Sequence, residues 1–214
     1  MQLHTYFRSS AAYRVRIALN LKGIEAEHLP VHLAKNGGEQ FSAAYSALNP
    51  QHLVPLLEHE GMVLAQSMAI IEYLDETFPA IPLLPGDLGG RARVRALAQA
   101  IACDIHPINN LRVLKYLTEQ LKATPEQRSA WYRNWVGLGL EALERQLASE
   151  PETGRFSHGD SPTMADCCLV PQLYNARRFE CDLTPYPTLV AIAANCEALP
   201  AFADAAPERQ SDAE

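Results

Sequence analysis

The sequence predicts an α/β N-terminal domain with the element order βαβαββα, followed by an all-α C-terminal domain. In the first part of the chain, segments whose apolar residues alternate as in a strand are interspersed with segments whose apolar residues have helical spacing. A Pro- and Gly-rich segment follows, and every later apolar pattern keeps helical spacing. We therefore assign residues 1–82 to the first domain, residues 83–90 to a linker and residues 91–214 to the helical domain.

Composition and charge exclude some classes of partner. The 214-residue chain is 48% hydrophobic and 20% charged, with a formal net charge of −7, as is ordinary for a globular protein. Basic residues are scattered, so nucleic acid is not expected as a partner. The first residues do not show a charged segment followed by an apolar core, which is the pattern of a signal peptide. No apolar run reaches the length of a membrane span. Neither a signal peptide nor a membrane partner is expected.

The five cysteines favour a reducing compartment. Their odd number and the lack of a CxxC pair argue against a disulfide framework and a zinc ribbon. Cys167 and Cys168 fall in an apolar helical stretch, where free cysteine is commonly buried. We expect a cytoplasmic protein without a bound metal.

Cap and turn residues mark the elements of the first domain. Ser9 or Ser10 caps the first helix, and Gly23 follows its last turn. Ser67 stands at the N-cap position of the last helix. The predicted elements are a strand at 2–7, a helix at 10–22, a strand at 26–33 weakened by Pro30, a short helix ending before Pro50, a hairpin at 53–66, and a helix from residue 67 that ends before Pro79.

The second domain is predicted to contain long helices. One covers residues 91–117 and is kinked at Pro107, and another covers residues 124–148. A third helix opens with Thr163 and Asp166, which resemble a capping box. One or two short helices follow, and the polar tail after residue 205 is expected to fray.

Two hydroxyls, Ser9 and Ser10, stand where the first strand passes into the first helix. One interpretation is that one hydroxyl caps the helix and the other is solvated. Alternatively, the free N–H groups and the positive end of the helix dipole bind an anion such as a thiolate, whose pKa they would lower. Arg8 would add positive charge there, or it is an ordinary surface arginine.

Two further positions have a structural and a functional interpretation. The Val54–Pro55 bond is either trans at the start of a strand or cis, presenting the Val54 backbone to an extended ligand. Gln66 and Ser67 precede another helix, where they either cap it or bind an amino-acid carboxylate.

Taken together, these motifs resemble the zeta class of the cytosolic glutathione transferases, and the match covers nearly the whole chain. The stretches that carry the resemblance are "RSSAAYRVRIALNLKGI", "ALNPQHLVPLL", "QSMAIIEYL", "TMADCCLVPQ" and "RRFECDLTPYPTL". The resemblance implies a thioredoxin-like N-terminal domain that binds glutathione, a helical domain that completes the substrate pocket, and a homodimer.

The resemblance also implies roles for individual residues. Ser9, with Ser10 beside it, matches the serine that hydrogen-bonds the glutathione thiolate, and Arg8 and Arg178 match arginines that face substrate carboxylates. The other residues that match glutathione contacts are Gln40, Val54, Gln66, Ser67, His106, Asn110 and Arg112. Many zeta enzymes carry a cysteine where this chain has Ala11, a departure from the family pattern. The resemblance implies that the nucleophile is the sulfur of glutathione itself, so this cysteine is expected to be dispensable.

Some roles have an alternative interpretation. His106 is either a glutathione contact or a packing residue beside the Pro107 kink. Arg177 and Arg178 are a solvated pair unless one of them points inward.

The expected activity is isomerisation of maleylacetoacetate to fumarylacetoacetate in aromatic amino-acid catabolism, with glutathione as coenzyme and a small dianionic keto acid as substrate. Three alternatives remain open: a maleylpyruvate isomerase of the gentisate pathway, a general glutathione-conjugating transferase, or a non-catalytic glutathione-binding module.

Overall fold

The structure, a computed structural model, describes all 214 residues. The chain forms two units. The first contains Met1–Leu83 together with Ala198–Glu214, and the second contains Leu84–Glu197. In chain order the elements are β1 (Gln2–Thr5), α1 (Ser10–Lys22), β2 (Glu27–Pro30), α2 (Ala43–Leu48), β3 (Leu56–His59), β4 (Met62–Ala65), α3 (Ser67–Thr77), α4 (Leu88–Gln99), α5 (Leu111–Glu119), α6 (Pro125–Ser149), α7 (Met164–Arg178), α8 (Pro187–Glu197) and α9 (Pro200–Ala203).

The first unit contains a four-stranded mixed sheet with the strand order β2-β1-β3-β4. β1 is parallel to β2 and antiparallel to β3, and β3 is antiparallel to β4. Thr5 pairs with Pro30, His4 with Leu56, and Leu56 with Ala65, so these residues lie at one end of the sheet. We call this end the Thr5 end. The predicted βαβαββα order is confirmed.

The helices of the first unit begin close to where the sequence predicts. The Ser9 Oγ accepts the Ala12 N–H at 3.2 Å, and Gly23 ends α1 with a left-handed φ of 66°. The prediction for α3 is wrong by one residue. Its N-cap is Gln66, at a φ of 72°, and Ser67 is the first helical residue. The fully buried side chains of Ile17 and Ile70 anchor α1 and α3 in the core of this unit.

A helix break replaces the predicted kink at Pro107. α4 ends at Gln99, and Ala100–Ile105 forms a wider π-helical turn. Pro107, which has no N–H to donate, then opens a short 3₁₀ turn. The Asn110 Oδ1 accepts the Val113 N–H at 3.3 Å and starts α5 as a new helix. One helix, α4, therefore ends before Pro107, and a second helix, α5, begins after it with Asn110 as its N-cap.

The predicted cap at Thr163 and Asp166 is confirmed. The fully buried Asp166 carboxylate accepts the Thr163 N–H at 2.7 Å, the Thr163 hydroxyl at 2.9 Å and the Ser157 N–H at 2.8 Å. Burial raises the pKa of the Asp166 carboxyl, and these hydrogen bonds oppose that rise. Asp166 thereby joins α7 to the loop that precedes it.

The C-terminal segment differs from its prediction in two ways. Residues 198–214 belong to the first unit rather than to the helical one. The tail is also not frayed, because Arg16 Nε donates to the Ala205 carbonyl at 3.0 Å and the Phe7 N–H donates to Asp212 Oδ2 at 3.0 Å. Its polar composition suggested solvation, but the Asp212 carboxylate has a partner in the turn after β1 and the Ala205 carbonyl has one on α1.

None of the helices is both long enough and apolar enough to serve as a membrane span.

Candidate active site

The strand topology brings four separate segments to the Thr5 end of the sheet. β1, β2 and β4 end there, and β3 begins there. The segments are Phe7–Ser10 after β1, residues 31–41 after β2, Val54–Pro55 before β3, and Gln66–Ser67 after β4. All seven predicted site residues of the first unit lie in them.

Of the two neighbouring serines, Ser9 is better placed to meet a ligand. Its Oγ accepts the Ala12 N–H, which leaves the hydroxyl hydrogen to be donated. Ser9 is partly exposed, whereas Ser10 is buried in the first turn of α1. A thiolate at this point would receive the Ser9 hydroxyl hydrogen bond and the positive end of the α1 dipole. Arg8, next in the chain, is exposed, with its guanidinium 4.7 Å from the centre of the Phe7 ring.

A buried arginine fixes the turn in front of Ser9. Arg16, 1% exposed, donates to Thr5 Oγ1 at 3.0 Å, to the Tyr6 carbonyl at 3.4 Å and to the Phe7 carbonyl at 3.1 Å. Burial lowers the Arg16 pKa to about 10, so the guanidinium stays charged at neutral pH. No role was predicted for Arg16 from the sequence. The available signal was the presence of two arginines, Arg14 and Arg16, among the apolar residues of α1.

The segment after β2 carries Gln40, which is 5% exposed and donates from Nε2 to the Leu33 carbonyl at 3.4 Å. His32 organises this segment. Its Nδ1 accepts the Ala34 N–H at 3.1 Å and the Lys35 N–H at 2.8 Å. The segment is therefore ordered by its own side chains around the predicted glutamine.

The Val54–Pro55 peptide bond is cis, so the less common of the two alternatives is observed. Val54 itself is buried and precedes the β3 pairing, which starts at Leu56. The carbonyl of Leu53 accepts the Tyr45 hydroxyl at 2.6 Å and the Asn49 amide at 2.8 Å. Burial raises the pKa of Tyr45 to about 12, so it remains a donor at neutral pH.

Ser67 is supported by a second buried arginine. The Arg14 Nη1 donates to Ser67 Oγ at 3.2 Å, and both residues are buried. Because Oγ accepts from the guanidinium, the Ser67 hydroxyl hydrogen is directed elsewhere, as a carboxylate ligand requires. Gln66 is exposed, and its Nε2 donates to Gln51 Oε1 at 3.0 Å. The support from Arg14 was not anticipated from the sequence.

Four predicted site residues belong to the second unit. His106 is half-buried at the helix break, Asn110 caps α5 as described, and Arg112 is exposed in its first turn. The fourth is Arg178, at the last turn of α7.

The two neighbouring arginines of α7 have different surroundings. The Arg177 Nη1 lies 2.6 Å from Glu197 Oε1 in an ion pair. The Arg178 guanidinium lies over the Phe179 ring, 4.9 Å from its centre. Arg177 already has a carboxylate partner, and this favours Arg178 as the arginine for a carboxylate ligand.

The buried cysteines of the chain are held in their unreactive thiol form. All five cysteines are free, and burial raises the pKa of the Cys167 and Cys196 thiols, which disfavours their reactive thiolate form. No group of three or more His, Cys, Asp or Glu residues is arranged to hold a metal ion. At the Thr5 end, an extended anionic ligand with a thiolate at Ser9 would receive the Ser9 hydroxyl hydrogen bond.

Family models match both parts of the chain. The model for the N-terminal domain of glutathione S-transferase matches residues 8–77, and the model for its C-terminal domain matches residues 138–203. Among relatives, the chain is 52% identical to a maleylpyruvate isomerase of Ralstonia sp. over 99% of both chains. It is 53% identical to a probable maleylacetoacetate isomerase of Vibrio cholerae, over 99% of this chain and 97% of the relative.

Solved structures agree with this similarity. A holo structure of maleylpyruvate isomerase, described as a bacterial zeta-class glutathione S-transferase, superposes with a TM-score of 0.97 at 51% identity, covering 100% of both chains. A maleylacetoacetate isomerase of Anaeromyxobacter dehalogenans superposes with a TM-score of 0.87 at 49% identity, covering 100% of this chain and 97% of the other. That structure holds dicarboxyethyl glutathione and citrate in its active site.

Proposed function

The chain belongs to the zeta class of the glutathione S-transferase family, and we propose that it isomerises a dianionic maleyl keto acid from cis to trans with glutathione as coenzyme. The observation that carries this proposal is the Thr5 end of the sheet, where a hydroxyl at a helix N-terminus lies at the same end as three further segments that carry predicted site residues. Relatives of about half-identical sequence carry this activity in their names.

Glutathione is proposed to lie along the Thr5 end in an extended conformation. Its sulfur would receive the Ser9 hydroxyl hydrogen bond, with Ser10 beside it, and its cysteinyl unit would pair with the Val54 backbone. Its γ-glutamyl carboxylate would be bound by Gln66 and by the Ser67 hydroxyl, which Arg14 orients. Gln40 is a further proposed contact, and the family resemblance also assigns glutathione contacts to His106, Asn110 and Arg112.

The proposed chemistry is nucleophilic catalysis in which the nucleophile is the sulfur of bound glutathione. The thiolate adds to the cis carbon–carbon double bond, a carbon–sulfur bond forms, and the π electrons move into the conjugated carbonyl as an enolate. The former double bond is now single and rotates. The enolate then re-forms the double bond, the carbon–sulfur bond breaks, and the thiolate leaves with the trans acid. No proton or electron is gained or lost overall.

Two arginines are proposed to bind the carboxylates of the substrate. Arg8 lies next to Ser9 in the chain, and the Arg178 guanidinium is not paired with Glu197 as that of Arg177 is. We assign both to the substrate carboxylates and to the enolate charge that develops on addition. The dicarboxyethyl glutathione bound by the Anaeromyxobacter relative is a glutathione derivative whose dicarboxyethyl group adds two carboxylates to those of glutathione itself.

Maleylacetoacetate is the substrate we favour, because a probable maleylacetoacetate isomerase at 53% identity and a maleylacetoacetate isomerase at 49% identity are among the relatives. Maleylpyruvate is the second candidate, since the Ralstonia relative and the holo structure carry that name at similar identity. The two acids differ only in the tail beyond the keto group.

The test is purified protein with each cis acid, with and without glutathione, followed by loss of enol absorbance. We expect turnover of at least one acid that depends strictly on glutathione, and the acid with the higher kcat/KM identifies the substrate. No turnover of either acid, with consumption of glutathione by a model electrophile, would instead establish a conjugating transferase.

Arg178→Ala is expected to raise KM for the cis acid about tenfold, because it removes a charge-assisted hydrogen bond to a carboxylate. The matched control is Arg177→Ala, which removes an exposed ion pair with Glu197 and is expected to leave KM within about twofold. Steady-state kinetics at saturating glutathione measure both. Equal effects of the two variants would contradict the assignment of Arg178.

A homodimer is also proposed, on the ground of an exposed apolar edge. β4 is the outer strand of the sheet, and its Met62 and Val63 are 41% and 45% exposed. Light scattering of the purified protein is expected to give twice the chain mass, and Val63→Lys is expected to shift it toward the monomer.

A cytoplasmic location is proposed because all five cysteines are free thiols.

A further inference from the structure

The C-terminal tail reaches the turn that precedes Ser9. The Asp212 Oδ2 accepts the backbone N–H of Phe7 at 3.0 Å, a hydrogen bond between residues 205 positions apart in sequence. Phe7 is two residues ahead of Ser9, and the Ser9 N–H donates to the Tyr6 carbonyl at 2.9 Å. Asp212 therefore holds the same turn that Ser9 closes.

Asp212 and Arg16 hold this turn through complementary groups. Arg16 binds the carbonyls of Tyr6 and Phe7, and Asp212 binds the N–H of Phe7. Arg16 also donates to Ala205 in the C-terminal segment, which ties that segment to the same guanidinium. The negative charge of Asp212 also favours the charged form of Arg16.

The end of the tail reaches a second segment of the Thr5 end. The Glu214 carboxylate pairs with Lys35 Nζ and lies 3.5 Å from His32 Nε2. The other ring nitrogen of His32 accepts the N–H groups of Ala34 and Lys35, within the segment that carries Gln40. The last residues thus contact two of the four segments assigned to glutathione.

We propose that Asp212 is a positioning residue for glutathione, acting through the Phe7 N–H, and that Glu214 adds a weaker second attachment at the segment after β2. The proposal rests on the proposed function. In this role the tail acts through Phe7, Lys35 and His32 rather than on the ligand itself. It fixes the turn that aims the Ser9 hydroxyl and the first N–H groups of α1. Glu214 is exposed and its ion pair is screened by solvent, so Asp212 carries most of the effect.

Three variants test this proposal. Asp212→Ala removes the acceptor and the charge, Asp212→Asn keeps an acceptor oxygen, and Ser211→Ala is a matched control at an exposed tail position. The measurements are the glutathione Kd by calorimetry, the pKa of the bound thiol from thiolate absorbance, and the exchange rate of the Phe7 amide hydrogen.

We expect Asp212→Ala to weaken glutathione binding about tenfold, to raise the bound thiol pKa and to speed Phe7 amide exchange. Asp212→Asn should recover most of the affinity, and Ser211→Ala should match the wild type. The proposal is overturned if Asp212→Ala changes only the melting temperature, or if Asp212→Asn is as defective as alanine. A wild-type protein that binds no glutathione would refute the proposed function itself, whereas normal binding by Asp212→Ala refutes only the role of the tail.

Discussion

Replacing Ser9 by alanine is expected to lower kcat/KM for isomerisation about 100-fold at neutral pH, the loss typical of removing one hydrogen-bond donor from a developing or bound anion. The hydroxyl is proposed to hold the glutathione sulfur as a thiolate. Without it the pKa of the bound thiol rises, so less of the nucleophile is ionised at a given pH. The activity of the variant should therefore recover in part at higher pH. A pH–rate profile from pH 5 to 9 measures both effects.

A control is needed because Ser9 also caps α1. Its Oγ accepts the Ala12 N–H, and loss of such a cap costs about 1 kcal/mol of stability. Ser9→Thr keeps the hydroxyl and the cap and should retain most of the activity, while Ser9→Gly is tolerated as an N-cap but has no side-chain donor and should lose the activity. An unshifted pH–rate profile in Ser9→Ala would remove Ser9 from the mechanism.

Asp166→Ala is expected to destabilise the protein by about 3–5 kcal/mol, because it leaves buried hydrogen-bond donors without an acceptor. The carboxylate accepts two N–H groups, from Ser157 and Thr163, and the hydroxyl of Thr163. All three residues are buried, so water cannot replace the lost acceptor without rearrangement. Urea unfolding at neutral pH measures the change in the free energy of unfolding.

The matched control for this prediction is Asp160→Ala, in the same loop. Asp160 is exposed, and its replacement should change the free energy of unfolding by less than about 0.5 kcal/mol. Asp166→Asn should be intermediate, since the amide keeps one acceptor oxygen. Wild-type stability in Asp166→Ala would mean that the cap is not a major source of the stability of the second unit.

Local chemistry explains which parts of the fold could be predicted. Caps and turns act within a few residues, so Ser9, Gly23 and the Thr163–Asp166 pair were found from sequence. The break at Pro107 was underestimated, because it also depends on the cap that Asn110 provides three residues later. The contacts of the C-terminal segment could not be predicted, because its partners, the Phe7 N–H and Arg16, are distant in sequence.

In the candidate site, too, the locally determined positions could be predicted from the sequence and the tertiary contacts could not. The two serines and the positions of Gln66 and Ser67 could be named from strand-to-helix junctions alone. Their role with glutathione came from the family resemblance. The supporting arginines, Arg14 and Arg16, could not be assigned, because burial is a property of tertiary packing and an isolated arginine on a helix is most often exposed.

The central claim is that glutathione is returned at every turnover. The most direct measurement supplies roughly one glutathione for every hundred molecules of the cis acid and follows both substrate and free thiol to completion. The account predicts that all of the cis acid becomes trans acid and that the thiol concentration at the end equals that at the start. A reaction that stops after one equivalent, with the thiol lost to an adduct, would contradict it.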